Sequence, residues 1–370
     1  MMKILLVSDQ SEYSDHSAVE GLFRKAMEPH AEVSIVYFSR VVKIPNLARG
    51  RIILPHSAVR RGLVAMLGKL LDLQQYNFVI VRNHFSALAQ VLAAHLTAKV
   101  GFWESFPHSY RRLEEAYLHR RAIWRKRIEY SWRARREKAL VSRCDFYLPV
   151  TRVFRDEFHA TLGIPFHPTP MGIDLSLLPE LREGAPDDGS LRFVYIGTID
   201  ALRRCDMVNQ AFMAVSGDFV LDYYTGSDNE IVDAIRNCGD PRIRVHDALP
   251  RAELFRELAK ADVGVCFVPL TRTYIVSNPT KTIEYCALGL PVLSNNVPEY
   301  EELLPDDTAF LTDFDYDKIV GRIESVLALS HTEIRAIGKR ARGRVLAERE
   351  YSVLAERLSA FLSSLPESTR

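Results

Sequence analysis

The chain has no charge excess: its 370 residues carry 48 Lys and Arg against 47 Asp and Glu, a net +1 at pH 7. A general polyanion binder needs one-sided charge, so only a local concentration can carry such a role. Long apolar runs are missing as well. No window approaches the ~18 consecutive apolar residues that read as a bilayer-crossing helix, which leaves peripheral contact as the membrane expectation. The opening MMKILLVSDQ holds only Ile4 to Val7 before Ser8 and Asp9, too short for a signal-peptide core and suited to a first strand. Cysteine is scarce and odd in number: Cys144, Cys205, Cys238, Cys266 and Cys286 show neither CxxC nor Cys/His ligand spacing. That pattern argues against a disulfide framework and against zinc, and it favours a reducing cytoplasm. Low-complexity segments and short-period repeats are also lacking.

What is present is a globular composition, 47% hydrophobic and 26% charged, on a chain longer than one core usually serves. Short β-branched runs alternate with helix-length segments. Lys3 to Ser8, Val33 to Phe38, Phe78 to Val81, Lys99 to Trp103 and Phe146 to Val150 read as strands, the βα alternation of a parallel doubly wound sheet. The pattern breaks at GIPFHPTPMGIDLSLLPELREGAPDDGS and restarts at Leu191 to Ile196, followed by Phe219 to Tyr223, Ile243 to His246, Val263 to Val268, Pro291 to Ser294 and Ala309 to Leu311. Two α/β domains in tandem are expected. Ligands of such sheets lie beyond the carboxyl ends of the strands, so the expected active site is a cleft between them.

The most informative stretch is SNPTKTIEYCALGLPVLSNN, from Ser277 to Asn296. A helix whose first turn holds Thr280 and Lys281 offers unpaired N–H groups, the positive end of its dipole and an ammonium to one anion. Pro279 suits that first turn. One turn further in, Glu284 is placed to accept hydrogen bonds from two neighbouring hydroxyls, as on a ribose. The alternative is a surface helix with an ordinary lysine and glutamate, stopped by Gly289; the residues alone leave both open. A second βα turn strengthens the anion reading, because Gly197 and Thr198 follow a strand and lead to Arg203 and Arg204.

Here VYIGTIDALRRCDMVNQAF, followed by NPTKTIEYCALGLPVLSNNVPEYEELL, resembles the carboxy-terminal domain of retaining glycosyltransferases with the two-domain GT-B fold, often called family four. PMGIDLSLL resembles that family's interdomain linker, CDFYLPVTRVFRDEF the segment before it, and Ala347 to Ser352 the approach to a final helix. The resemblance implies two Rossmann-like domains facing a cleft: an acceptor-side domain over 1–172, a nucleotide-sugar-binding domain over 173–345, and a helix over 346–370 that crosses back. It implies transfer of a sugar from a nucleoside diphosphate sugar to a hydroxyl acceptor with retention, in cell-surface polysaccharide or glycolipid synthesis, without a cofactor or metal. Gly197, Thr198, Arg203, Asn278, Thr280, Lys281, Thr282 and Glu284 would hold the donor, and Glu104, His108, Arg203 and Lys281 would serve catalysis. Glu284 matches the second glutamate of the family's paired-glutamate motif, while Val276 stands where the first is expected. Likewise Thr198 replaces an arginine, and SDQSEYSDHSAVEG, with Asp15 and His16, replaces a glycine pair. The DFDYD run at Asp313 to Asp317 looks like a metal motif, but it follows a strand and opens a helix, where aspartates cap.

One segment departs from neutrality. From Ser109 to Arg143 twelve basic residues face four acidic ones, and Leu113, Tyr117, Trp124, Ile128, Trp132 and Ala139 recur near helical spacing. An anionic membrane surface, at the inner face of a cell membrane with a lipid-linked acceptor, is one expectation. The favoured reading of most of these arginines is a connecting helix whose apolar stripe packs on the sheet while they are solvated. Nucleic acid is disfavoured because no reading motif accompanies the charge. The competing functions are a sugar-nucleotide epimerase of the same fold, or a non-catalytic binder of membranes or nucleic acid.

Overall fold

The computed structural model describes residues 1–11, 16–48, 50–180, 189–305 and 307–366; Asp15 and the 181–188 part of the proline- and glycine-rich break lie outside them. The chain forms two compact units, one made of Met1–Gly172 with Tyr351–Arg370, the other of Ile173–Glu350. The second unit ends with the helix His331–Arg349, which runs through residue 345 without interruption because a Ser330 capping box starts it and apolar positions Ile334, Ala341 and Val345 keep it buried.

Unit 1 is built on a seven-stranded sheet: β1 (Met2–Val7), β2 (Ala31–Ser39), β3 (Asn46–Ala48), β4 (Arg51–Pro55), β5 (Phe78–Arg82), β6 (Lys99–Glu104) and β7 (Phe146–Pro149). The order is β3-β4-β2-β1-β5-β6-β7, all parallel except the β3–β4 pair. That pair is additional to the expected strands; Ile52 to Pro55 is a short apolar run flanked by Arg51 and His56, and pairing with β2, not periodicity, makes it a strand. Buried runs such as Phe78–Arg82 suit a sheet covered on both faces. The helix Tyr351–Ser364 belongs to this unit, where the Tyr351 hydroxyl lies 2.6 Å from Ser17 Oγ and Lys99 Nζ donates to the Leu365 carbonyl at 2.9 Å.

Unit 2 has six parallel strands: β8 (Leu191–Ile196), β9 (Phe219–Thr225), β10 (Ile243–Asp247), β11 (Val263–Cys266), β12 (Val292–Asn295) and β13 (Phe310–Thr312). Their order is β10-β9-β8-β11-β12-β13. In each sheet the order reverses at one place, between β1 and β5 in unit 1 and between β8 and β11 in unit 2. The chain leaves β8 and β11 in opposite directions there, which opens a crevice at their carboxyl ends. Gly264 in β11 keeps this junction close-packed, since a Cβ there would lie 2.2 Å from the Tyr285 ring. The Tyr285 hydroxyl in turn accepts the Ile196 N–H at 2.9 Å and donates to the Val265 carbonyl at 3.5 Å.

Candidate functional site

At the unit 2 crevice, β8 ends in Gly197 with φ +100°, and the segment after β11 leads into the helix Thr280–Ala287. Pro279 caps this helix rather than occupying its first position, and Thr280 and Lys281 open it. Lys281 extends toward the glycine: a Cβ on Gly197 would sit 3.9 Å from both Cε and Nζ. Its ammonium lies 3.7 Å from the centroid of the Tyr195 ring and makes no ion pair among the described residues. The surrounding protein strips water from the ammonium and lowers its pKa, and Arg203 pushes in the same direction, against Cys266, Cys205 and Glu284. A half-buried cation without a carboxylate, at a helix N-terminus and facing an open glycine turn, is an arrangement completed by an anion.

Arg203 stands on the other wall. It is paired with Asp200 and lies 5.4 Å from the Tyr274 ring centroid. Glu284 is buried and paired with Arg251 at the start of the helix Arg251–Leu258. Burial raises its pKa, against Arg251 and Lys281. Gly197, Arg203, Lys281 and Glu284 therefore gather at one crevice. Thr198 is exposed beside them, with its carbonyl held by the Tyr195 hydroxyl at 2.7 Å. Asn278 donates to Glu299 at 2.9 Å, and Glu299 pairs with Arg349 at 2.7 Å, which anchors the loop. Thr282, the third residue of the helix, is fully buried, and its hydroxyl meets that of Tyr300 at 2.6 Å, so its side chain faces inward. Val276 is fully buried too.

Residues 207–360 match the family profile described as Glycosyl transferase-like. Among solved structures, the chain is similar to a sucrose-phosphate synthase from Thermosynechococcus elongatus, with 15% identity, 99% of each chain covered and a TM-score of 0.73. It is also similar to an E. coli structure described as trehalose-6-phosphate bound with UDP-2-fluoro glucose, with 10% identity, 99% and 100% coverage and a TM-score of 0.70. The lipopolysaccharide outer core galactosyltransferase WaaB, at 13% identity, 98% and 99% coverage and a TM-score of 0.66, shares the architecture as well. No protein of curated function matches the chain. Profile, fold and crevice agree. The chain has the GT-B fold, and its residues 207–360 match a glycosyltransferase profile.

In unit 1, the switch between β1 and β5 gathers a second polar cluster, of which the sequence pointed only to His16. Arg82, 3% exposed, pairs with Asp9 and reaches His16 Nε2 at 2.8 Å and Ser105 Oγ at 2.9 Å. Asn83, with φ +50°, donates to Asp9 at 3.1 Å and to Ser105 at 2.9 Å. Burial alone would raise the Asp9 pKa, but Arg82, Gln10 and Asn83 outweigh it and hold the carboxyl below its usual range. Glu104 is placed at the end of β6 but inside the fold, accepting from the Tyr147 hydroxyl and facing His159 Nε2, both at 2.9 Å. His108 is exposed and opens the helix His108–Leu118. The DFDYD run does cap: Asp315 accepts the Lys318 N–H at 3.2 Å and Asp313 pairs with the Lys318 ammonium.

Sequence reasoning missed Arg251. No spacing relates it to Glu284, since it comes from the βα turn after β10 and meets the glutamate only in the folded sheet. Arg251→Ala would leave a buried carboxylate without its main partner. We expect a loss of about 2–3 kcal/mol, discounted from the ~3–5 of a fully buried pair because Arg251 keeps some exposure. Adding Glu284→Gln should restore part of it, and equal denaturant stability of Arg251→Ala and the parent would sink the assignment.

Proposed function

We propose that this protein is a glycosyltransferase that moves a sugar from a nucleoside diphosphate sugar to a hydroxyl acceptor with retention of anomeric configuration. The observation that carries it is the unpaired Lys281 ammonium at the Thr280 helix start, opposite Gly197 at the β8/β11 switch. As the bond from the anomeric carbon to the diphosphate oxygen breaks, negative charge collects on the leaving diphosphate. Lys281, the first N–H groups of the helix and Arg203 stabilise it there. Because these cations belong to the chain, the reading requires no divalent metal or cofactor. Glu284, held by Arg251, accepts the two ribose hydroxyls. The presence of UDP-2-fluoro glucose in one structural neighbour supports a nucleotide sugar as donor. Acceptor hydroxyls are assigned to unit 1, with exposed His108 positioned by the helix it opens and Glu104 supporting the strand end from within. We place the enzyme in the cytoplasm, acting on polysaccharide or glycolipid precursors; no described helix is long and apolar enough to cross a membrane.

Thermal melting in the presence of uridine, guanosine, adenosine and thymidine diphosphates and their sugars tests this. A ligand at a hundredfold its dissociation constant stabilises by about 2.7 kcal/mol, a clear rise in melting temperature. If no nucleoside diphosphate raises it, or if Glu284→Ala responds as the parent does, the reading fails. Donor hydrolysis to an altered free sugar without any acceptor would favour an epimerase instead.

A further inference from the structure

The helix Ile123–Val141 presents to solvent a face on which the expected inward stripe is reversed. Trp124, Ile128 and Trp132, spaced at i, i+4 and i+8, are 72%, 64% and 61% exposed, while Leu140 and Val141 at its end are buried. Leu140 and Val141 join the hydrophobic core, and further up the helix Tyr130 packs on Tyr110 of the helix His108–Leu118 while the tryptophan row stays outside. Around these three, the exposed positions include Arg125, Arg127, Arg135, Arg136 and Lys138, and no exposed position of the helix is acidic. The two glutamates of the helix are already engaged: Glu129 with Lys126 at 2.9 Å and Arg133 at 2.7 Å, Glu137 with the Ser109 hydroxyl at 2.5 Å. None of the five exposed cations makes an ion pair among the described residues; Arg136 instead lies 5.6 Å from the Trp132 ring centroid.

We propose that this face docks unit 1 onto an anionic lipid bilayer, with Trp124, Ile128 and Trp132 entering the headgroup boundary and the flanking arginines and Lys138 meeting lipid phosphates. The geometry is that of a helix lying in the interface plane: apolar side chains in a narrow row, cations on both flanks that snorkel to the headgroups, and both glutamates held by neighbouring side chains. Charge complementarity selects the occupant. A second copy of the chain would bring five like charges against five, and an RNA backbone would leave Ile128 and the two indoles without a use at the centre of the contact. A docked unit 1 would meet acceptors displayed on the bilayer. The surface is separate from the nucleotide crevice, so the two readings fail separately: a chain that binds vesicles and no nucleotide keeps this one.

The full chain is floated with vesicles of equal parts phosphatidylglycerol and phosphatidylcholine, and with phosphatidylcholine alone. We expect binding to the anionic vesicles only, weakening as salt shortens the screening length from about 10 Å at 0.1 M to about 3 Å at 1 M. Each arginine replaced, as in Arg125→Gln and Arg135→Gln, should weaken it about fivefold. Trp124→Ser with Trp132→Ser should weaken it at least about tenfold and abolish the blue shift of indole fluorescence, since the third tryptophan, Trp103, is fully buried. All four positions are exposed, and unchanged melting curves verify the fold; should the tryptophan pair fail to fold, the arginine pair and the parent's salt dependence decide. Equal binding to neutral vesicles overturns the proposal. So does undiminished binding of the folded variants, binding to poly(U) RNA in place of vesicles, or a dimer in solution that the tryptophan variants dissolve.

Discussion

Lys281→Met is expected to abolish the response to nucleoside diphosphates and, at the same time, to raise the melting temperature of the ligand-free protein. Both effects follow from one feature, an ammonium held against the Tyr195 ring with no carboxylate partner among the described residues. In the presence of donor the cation meets the diphosphate in a poorly hydrated crevice, where removing one such group costs about 10²- to 10³-fold in turnover. In the empty protein the same charge is a burden. Its folded pKa is lowered, so the folded state binds its proton less tightly than the unfolded chain. The penalty is fully present below the folded pKa and fades as pH rises through it toward the ordinary lysine value. At neutral pH the methionine removes the penalty, keeps the stem's packing, and gives up only a cation–π contact of about 1–2 kcal/mol. Calorimetric titration with nucleoside diphosphates, beside melts from neutral to alkaline pH, measures both. Undiminished nucleotide binding by Lys281→Met would falsify the anion assignment, and a melting temperature below the parent's would refute the burden.

Gly338→Ala is expected to destabilise unit 2 strongly, whereas Gly343→Ala, one and a half turns later in the same helix, should stabilise it. Helix propensity alone favours alanine at both by ~1 kcal/mol. At Gly338, however, a Cβ would lie 1.9 Å from the Gly289 carbonyl oxygen, 2.8 Å from its carbon and 2.9 Å from Pro291 Cδ. These are mostly backbone atoms. The Gly289 turn cannot swing aside like a side-chain tip, because its N–H is tied to Cys286 at 2.9 Å and Arg342 Nε donates to the Ala287 carbonyl at 3.0 Å. The two helices must separate, and overpacking of this kind costs about 1–3 kcal/mol or more, so the steric term wins and leaves a net loss of about 2 kcal/mol. Gly343 has nothing within 4 Å, so propensity acts unopposed there. Since Gly289 ends the Lys281 helix, Gly338→Ala should weaken nucleotide affinity as well. Denaturant unfolding of both variants is the measurement, and a stabilised Gly338→Ala would show that the close approach yields without cost.

The strands of both sheets were legible wherever a buried run was bounded by turn residues, as from Phe78 or Leu191. The start of the Lys281 helix was legible for another reason: a helix start is local, so Pro279, Thr280 and Lys281 signal it within three positions. Residues whose partners are distant in sequence were not. Arg251 finds Glu284, Asp9 finds Arg82, and Thr282 turns to Tyr300 only because strand order places them together.

Periodicity marks the same boundary at the basic segment. The spacing of Trp124, Ile128 and Trp132 determined an amphipathic helix, and the residue count determined its surplus of cations. Which side of that helix meets the sheet is not encoded in spacing, because a stripe has the same period whether it faces a core or a bilayer. Only the tertiary structure decided it. The buried contact is made at Leu140 and Val141, Glu137 is held by Ser109 of the neighbouring helix, and the two tryptophans remain outside.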